Sequence, residues 1–117
     1  MIRKKTIICD IDGTLIKHHG DLSKQILNPP ILLSGTIEKL NEWEREGHRI
    51  ILMTGRKESM RAETEIQLSS LGIFYDQLVM GVTNGERVLI NDSKPNGDIT
   101  ATAVCIERNF GISKVTL

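Results

Sequence analysis

The sequence predicts an α/β fold: an open, mainly parallel sheet of about five strands with helices on both faces. Three observations lead there. Short apolar runs rich in Ile, Val and Leu alternate with stretches of helical periodicity. Gly, Pro, Asn and Asp punctuate the joins between them. Finally, the polar residues best suited to chemistry, Asp10 with Asp12, Thr54, and Asp92, each fall where an apolar run stops. Parallel sheets place ligands outside the carboxyl ends of their strands, so all three groups are expected on one edge.

Taken in order, the first strand is Thr6–Asp10, an almost unbroken apolar run of the kind covered on both faces. Residues two apart on an extended chain point the same way, so Asp10 and Asp12 are expected to share a face. Their carboxylates repel unless a cation or a proton lies between them. Gly13 lets the chain turn sharply and approach a ligand. By itself this stretch also fits a strand closed by an Asp-Gly turn. Residues 16–33, which include His18, His19 and Asn28-Pro29-Pro30, read as a loop or small hairpin projecting over the site. A helix is expected over 35–46, with Ser34 as N-cap, Gly47 as stop, and Ile37, Leu40 and Trp43 facing inward.

The second strand, Arg49–Met53, ends in Thr54-Gly55-Arg56. The next helix spans 58–71, with Met60, Thr64 and Leu68 on one face and Gly72 as stop. A third strand covers 77–80, and Asn84-Gly85 signals a turn. A fourth runs over 87–90 or 91 and gives way to the polar run 92–98, and a fifth spans 101–107. Residues 1–117 thus read as one domain, long enough to bury a core without staples.

Composition narrows the function. Fifteen basic and fifteen acidic residues cancel, which argues against nucleic acid as a partner and gives no footprint for an anionic membrane. Cys9 and Cys105 sit inside apolar runs and read as buried thiols of a reduced compartment. No Cys or His pair has zinc-ligand spacing. The basic start, 1–5, precedes too few apolar residues for a secretory signal, and no run reaches membrane-spanning length, so a cytoplasmic protein is expected.

Three carboxylates and a hydroxyl at one rim suit a hard cation such as Mg²⁺, which takes oxygen ligands and commonly meets a phosphate beside one or two carboxylates. Asp10 and Asp92 would supply carboxylate oxygens and Asp12 its backbone carbonyl. A phosphate would then meet the N–H groups of 11–13 and 54–56, with the Thr54 hydroxyl beside them.

The motifs Asp10-Ile11-Asp12-Gly13-Thr14-Leu15, Leu52-Met53-Thr54-Gly55-Arg56 and Leu89-Ile90-Asn91-Asp92 resemble, in residues and in order, those of the haloacid dehalogenase (HAD) superfamily of hydrolases. The resemblance implies a phosphomonoesterase. Asp10 would be the nucleophile that forms an aspartyl-phosphate. Asp12 would be the acid that protonates the leaving oxygen and the base that activates water. The metal set would be Asp10, Asp12 and Asp92, and the phosphate would be held by Ile11, Gly13, Thr54, Gly55 and a lysine. Lys94, just past the fourth strand, is preferred for that lysine over Arg87, which begins a strand expected to run toward the site. Asp92 is followed by Ser93 where many members carry another acid. Arg56 reads equally as a substrate contact or a surface charge.

The family often inserts a cap domain. Only 34 residues separate Leu15 from Ile50, a helix among them, so a capless member is expected. Such an enzyme admits a bulky substrate or borrows a lid from another subunit. The favoured substrate is a small-molecule phosphate ester such as a phosphorylated sugar. The alternatives are a polynucleotide end, or a phospho-accepting module of receiver type.

Overall fold

The computed structural model describes residues 3–117; Met1 and Ile2, part of the basic start, lie outside them. The elements are β1 (Thr6–Asp10), α1 (Leu22–Leu27), α2 (Thr36–Arg45), β2 (Arg49–Met53), α3 (Arg61–Ser70, led in by a 3₁₀ turn over Glu58–Met60) and β3 (Gln77–Val79). The strands form one parallel sheet in the order β1-β2-β3, with Cys9 opposite Leu52 and Leu52 opposite Leu78.

Both crossovers step across the sheet in the same direction. Because such crossovers are right-handed, α2 and α3 must lie on the same face. Burial bears this out. Cys9, Ile50, Leu52 and Leu78 are buried with Leu40 and Trp43 of α2 and Leu68 of α3, and each such side chain contributes about 1.5–3 kcal/mol. The alternate strand residues Ile51, Met53 and Val79 are only half-buried, and Ile8 is 48% exposed. The sheet therefore has one open face, where helices on both faces were expected.

The expected fourth and fifth strands do not form. Among the described residues the sheet has three strands, and residues 80–117 carry no regular secondary structure. Val88, Leu89 and Ile90 stand exposed. A β-prone run becomes a strand only when it pairs with a neighbour, and among the described residues no strand pairs with β1 on the side away from β2. Between Gly81 and Arg87 the chain does not drop to the base of the sheet. It crosses the carboxyl rim instead, with Gly81 N–H bonded to the Arg56 carbonyl (2.7 Å) and Val82 N–H to the Thr54 carbonyl (3.0 Å).

Residues 16–33 hold the short α1, capped by Asp21, whose side chain accepts from Lys24 N–H at 2.9 Å. An antiparallel bridge between Ile16 and Leu32 closes the base of this excursion. Ser34 does not cap α2: Gly35 occupies the N-cap, and the Ser34 carbonyl accepts from Ile112 N–H at 2.9 Å. Ile112 is buried, which seats the C-terminal segment on the core.

Of the two cysteines expected to be buried, only Cys9 is; Cys105 is exposed. Burial pushes the Cys9 thiol up to about 12, and the Asp10 charge adds to the effect. Ellman's reagent at about pH 8 should therefore titrate one thiol in the folded protein and two after unfolding. Unfolded Cys9 ionises near its ordinary value of 9 while the folded thiol keeps its proton to about 12. In that window the folded state binds more protons, so stability should fall as pH rises through it, an effect that Cys9→Ala removes.

Candidate active site

β1 ends at Asp10, and the chain turns at Gly13, whose φ of +88° a side-chain-bearing residue rarely adopts. The turn is tied to itself: Gly13 N–H donates to the Ile16 carbonyl (2.7 Å), and Thr14 and Leu15 N–H both donate to the Ile11 carbonyl (3.1 and 2.9 Å). Gly13 N–H, expected to hold phosphate, is thus committed within the loop. Ile11 N–H bonds to the Asp10 carboxylate.

The two acids part company. Asp10 stays at the rim with its side chain 38% exposed. The Thr14 hydroxyl donates to Asp10 Oδ2 at 3.4 Å, and an Arg87 Nη2 stands 3.9 Å from Oδ1. Burial raises the Asp10 pKa above the ordinary carboxylate value. Arg87, Ile11 N–H and the Thr14 hydroxyl pull it down, and the nearby Asp12 charge pushes it up.

Asp12 is drawn inward by Arg56, which is 1% exposed. Arg56 Nε donates to Oδ2 at 2.9 Å and Nη2 to Oδ1 at 2.8 Å, a bidentate pair. Both donors of Arg56 Nη1 are satisfied by α3, which bonds them to the Thr64 hydroxyl (3.1 Å) and to Gln67 Oε1 (2.7 Å). Gln25, buried on α1, donates to Asp12 Oδ1 at 2.6 Å and to the Lys17 carbonyl at 3.0 Å, and accepts from His19 N–H. Gln67 donates to the Gln25 carbonyl at 3.0 Å and closes the network. Arg56 is neither a substrate contact nor a surface charge; it fixes Asp12.

Thr54 is buried, and its hydroxyl accepts from Arg56 N–H at 3.1 Å. Gly55 lies under the crossing segment. A Cβ there would stand 2.9 Å from the Val82 carbonyl and 2.8 Å from Asn84 Oδ1, so the close approach that Gly55 permits here is to the chain itself.

Lys94 and Asp92 are not brought to the rim. They belong to an exposed loop bonded to itself: Lys94 N–H to the Asp98 carbonyl (2.9 Å), Gly97 N–H to the Lys94 carbonyl (2.8 Å), and the Thr100 hydroxyl to the Asp92 carbonyl. The cation beside Asp10 is Arg87. The preference for Lys94 assumed a fourth strand that held Arg87 far below the site, and that strand is absent. For the same reason Asp92 is not delivered beside Asp10. Among the described residues no three His, Cys, Asp or Glu side chains gather closely enough to hold a metal ion. The Asp10 carboxylate is one hard oxygen donor and the Asp12 carbonyl, which accepts no backbone bond among the described residues, a second, but without the Asp92 carboxylate the donor set expected for Mg²⁺ is incomplete within one chain.

Of the two side chains that hold Asp12, Gln25 carries no role in the sequence reading, and Arg56 reads there only as a substrate contact or a surface charge. Thr64 was legible as a polar residue on an apolar helix face, and a buried hydroxyl there calls for a partner.

Residues 4–88 match the family model of the polynucleotide kinase PNKP phosphatase domain. Two solved structures of the Pnkp1/Rnl/Hen1 complex, one titled as an RNA repair complex, contain a similar chain. The first is 31% identical with a TM-score of 0.60, and the second 32% identical with a TM-score of 0.56. Each match covers 72% of this chain but only 30% and 28% of the other, so this chain spans less than a third of those relatives. A crystal structure of an MCSG target from Vibrio cholerae shares the fold, at 22% identity and a TM-score of 0.54 over 76% of this chain and 80% of that one. No curated protein matches.

These matches overturn the argument against nucleic acid drawn from zero net charge. A total charge is a sum over the whole surface. Locally, Arg87 stands at Asp10, and Arg108 Cγ lies 3.1 Å from where a Gly13 Cβ would be, beside His18. No helix among the described residues is long and apolar enough to cross a membrane.

Arg56→Ala would strand the Asp12 carboxylate and leave Thr64 and Gln67 without their donor. It should cost about 3–5 kcal/mol in urea unfolding. Arg56→Lys should recover little of this, because an ammonium cannot reproduce the two parallel bonds.

Proposed function

This chain belongs to the PNKP phosphatase domain family of HAD-type hydrolases, and from that premise we propose that it removes phosphate from the end of a polynucleotide. The observation that carries the reading is the family match over 4–88, which includes both the Asp10–Leu15 turn and the Thr54–Arg56 loop. The relatives whose structures are titled for an RNA repair complex favour a polynucleotide end over a phosphorylated sugar. The open rim agrees with a bulky substrate. A receiver-type module finds no support, since its accepting acid would end the third strand, and here Met80 and Gly81 follow β3.

In this reading Asp10 attacks phosphorus and forms an aspartyl-phosphate while the oxygen of the nucleic-acid end departs. Arg87 supplies positive charge beside the incoming phosphate, offsetting the repulsion between two anions. Asp12, which accepts from Arg56 and Gln25, is the group that protonates the departing oxygen and then takes a proton from the water that cleaves the aspartyl-phosphate. Its proton-transfer role in releasing the enzyme-bound phosphate requires it to turn from Arg56 toward the rim. A divalent cation is the expected cofactor, with Asp10 as one of its donors, and when bound it would neutralise phosphate charge.

The test is phosphate release in magnesium from RNA and DNA oligonucleotides carrying a 3′- or a 5′-phosphate, run beside a panel of sugar phosphates. One class of oligonucleotide end should be favoured in kcat/KM by on the order of tenfold or more. Asp10→Asn should lower turnover on it by roughly a thousandfold, and EDTA should do the same. Preference for a sugar phosphate would overturn the substrate class, and an active Asp10→Asn protein would overturn the nucleophile. Since burial disfavours the Asp10 charge, Asp10→Asn should also raise the melting temperature of the metal-free protein.

A further inference from the structure

We propose that two copies of this chain exchange residues 87–92, each laying that segment as a parallel strand along the open edge of the other's β1. Four observations meet in this arrangement. First, among the described residues β1 pairs only with β2, so its other edge presents unpaired backbone groups next to the exposed Ile8. Second, Val88, Leu89 and Ile90 form a β-prone apolar run, and Ile90 is 89% exposed. Third, no backbone N–H from 83 to 93 has a partner within the described chain. A run of unpaired strand formers and an unpaired strand edge are complementary in hydrogen bonding and in apolarity.

The fourth observation excludes the chain's own 87–92 from that edge in the parallel sense. A parallel strand that sets Asp92 beside Asp10 puts Arg87 five residues lower, about 16 Å at strand rise. One arginine side chain does not span that gap, yet Arg87 Nη2 stands 3.9 Å from Asp10 Oδ1. The chain's own segment therefore leaves from the carboxyl rim and runs the wrong way to pair in parallel with its own β1.

A two-fold axis resolves this. The segment of one copy descends from its own rim antiparallel to its own β1, and so runs parallel to the β1 of a copy turned end for end. Placed two strand spacings away, about 10 Å, it remains within reach of the Arg87–Asp10 pair. One sheet then runs through both copies, and each buries the apolar run of the other. Asp92 of one copy comes beside Asp10 of the second and supplies the carboxylate that a single chain does not deliver. That consequence rests on the phosphatase reading; the exchange itself does not.

The primary test is mass in solution by light scattering on the wild-type chain and on Ile90→Pro and Leu89→Asp. In a single chain both positions are exposed and residue 90 has no backbone partner, so neither change should matter to an isolated fold. The exchange predicts twice the mass of one chain for wild type, and monomers of lower melting temperature for both variants. A wild-type monomer, or a dimer indifferent to both substitutions, overturns it. A second test is independent of folding defects: Asp10→Asn and Asp92→Asn chains are unfolded together and refolded. Half of the randomly assorted dimers are mixed and each holds one intact site, so about a quarter of wild-type activity should return. No return of activity overturns the exchange when wild type is active. If wild type turns over no substrate, the phosphatase reading fails, and the mass measurements alone decide the exchange.

Discussion

The bidentate pair between Arg56 and Asp12 is the constraint around which the rest of the rim is arranged. It joins the turn after β1 to the loop after β2, and through Thr64, Gln67 and Gln25 it binds both to α3 and α1. Taking a guanidinium and a carboxylate out of water is costly, and their attraction at short range offsets the cost only when every donor finds an acceptor. Here each guanidinium nitrogen has one. The net gain in stability from such a pair is small, but the geometry it imposes is not. A slip of the β1 turn by one residue would leave a buried arginine without its acid, so the pair fixes where Asp10 stands.

That constraint also explains how one motif yields two environments. Asp10 and Asp12 lie two apart, and strand periodicity alone would aim them the same way. The chain stops being a strand at Asp10, however, and Arg56 captures the second acid. Asp10 is left partly exposed, with Thr14 and Arg87 beside it. The Asp12 charge still pushes the Asp10 pKa up, in the same direction as burial, the larger cause, while Arg87, Ile11 N–H and the Thr14 hydroxyl oppose both.

Much of this was legible in the sequence, for local reasons. The three strands that form, the two longer helices and the inward-facing Trp43 follow from periodicity and stop signals within a dozen residues. What was not legible depends on partners far along the chain. Gln25 and Arg56 meet Asp12 across separations of 13 and 44 residues, and neither residue type announces burial. Residues 87–90 have the composition of a strand, but a strand is a relation between two segments, and composition describes only one. Reading Arg87 as the start of a strand made it seem remote from Asp10. Without that strand the same residue reaches the rim and Lys94 does not. Net charge failed for a similar reason, because a sum carries no position.

The open face and the open edge share a single cause. With order β1-β2-β3 and right-handed crossovers in one direction, α2 and α3 can cover only one side of the sheet, whatever their sequences. Covering the other side requires strands added beyond β1, with connections that return across the opposite face. Residues 81–117 follow β3 and hold the runs expected to form such strands. The first of these residues are pinned to the Thr54–Arg56 loop, and Arg87 is held at Asp10, so they begin at the rim and not at the base. A strand that starts at the rim runs antiparallel to β1 in its own chain. Parallel pairing by residues 87–92 must then be with another copy, and the same start point that forbids it within one chain permits it across a two-fold axis. The polarity of one short segment thus decides both how the sheet is completed and whether the third carboxylate can reach Asp10.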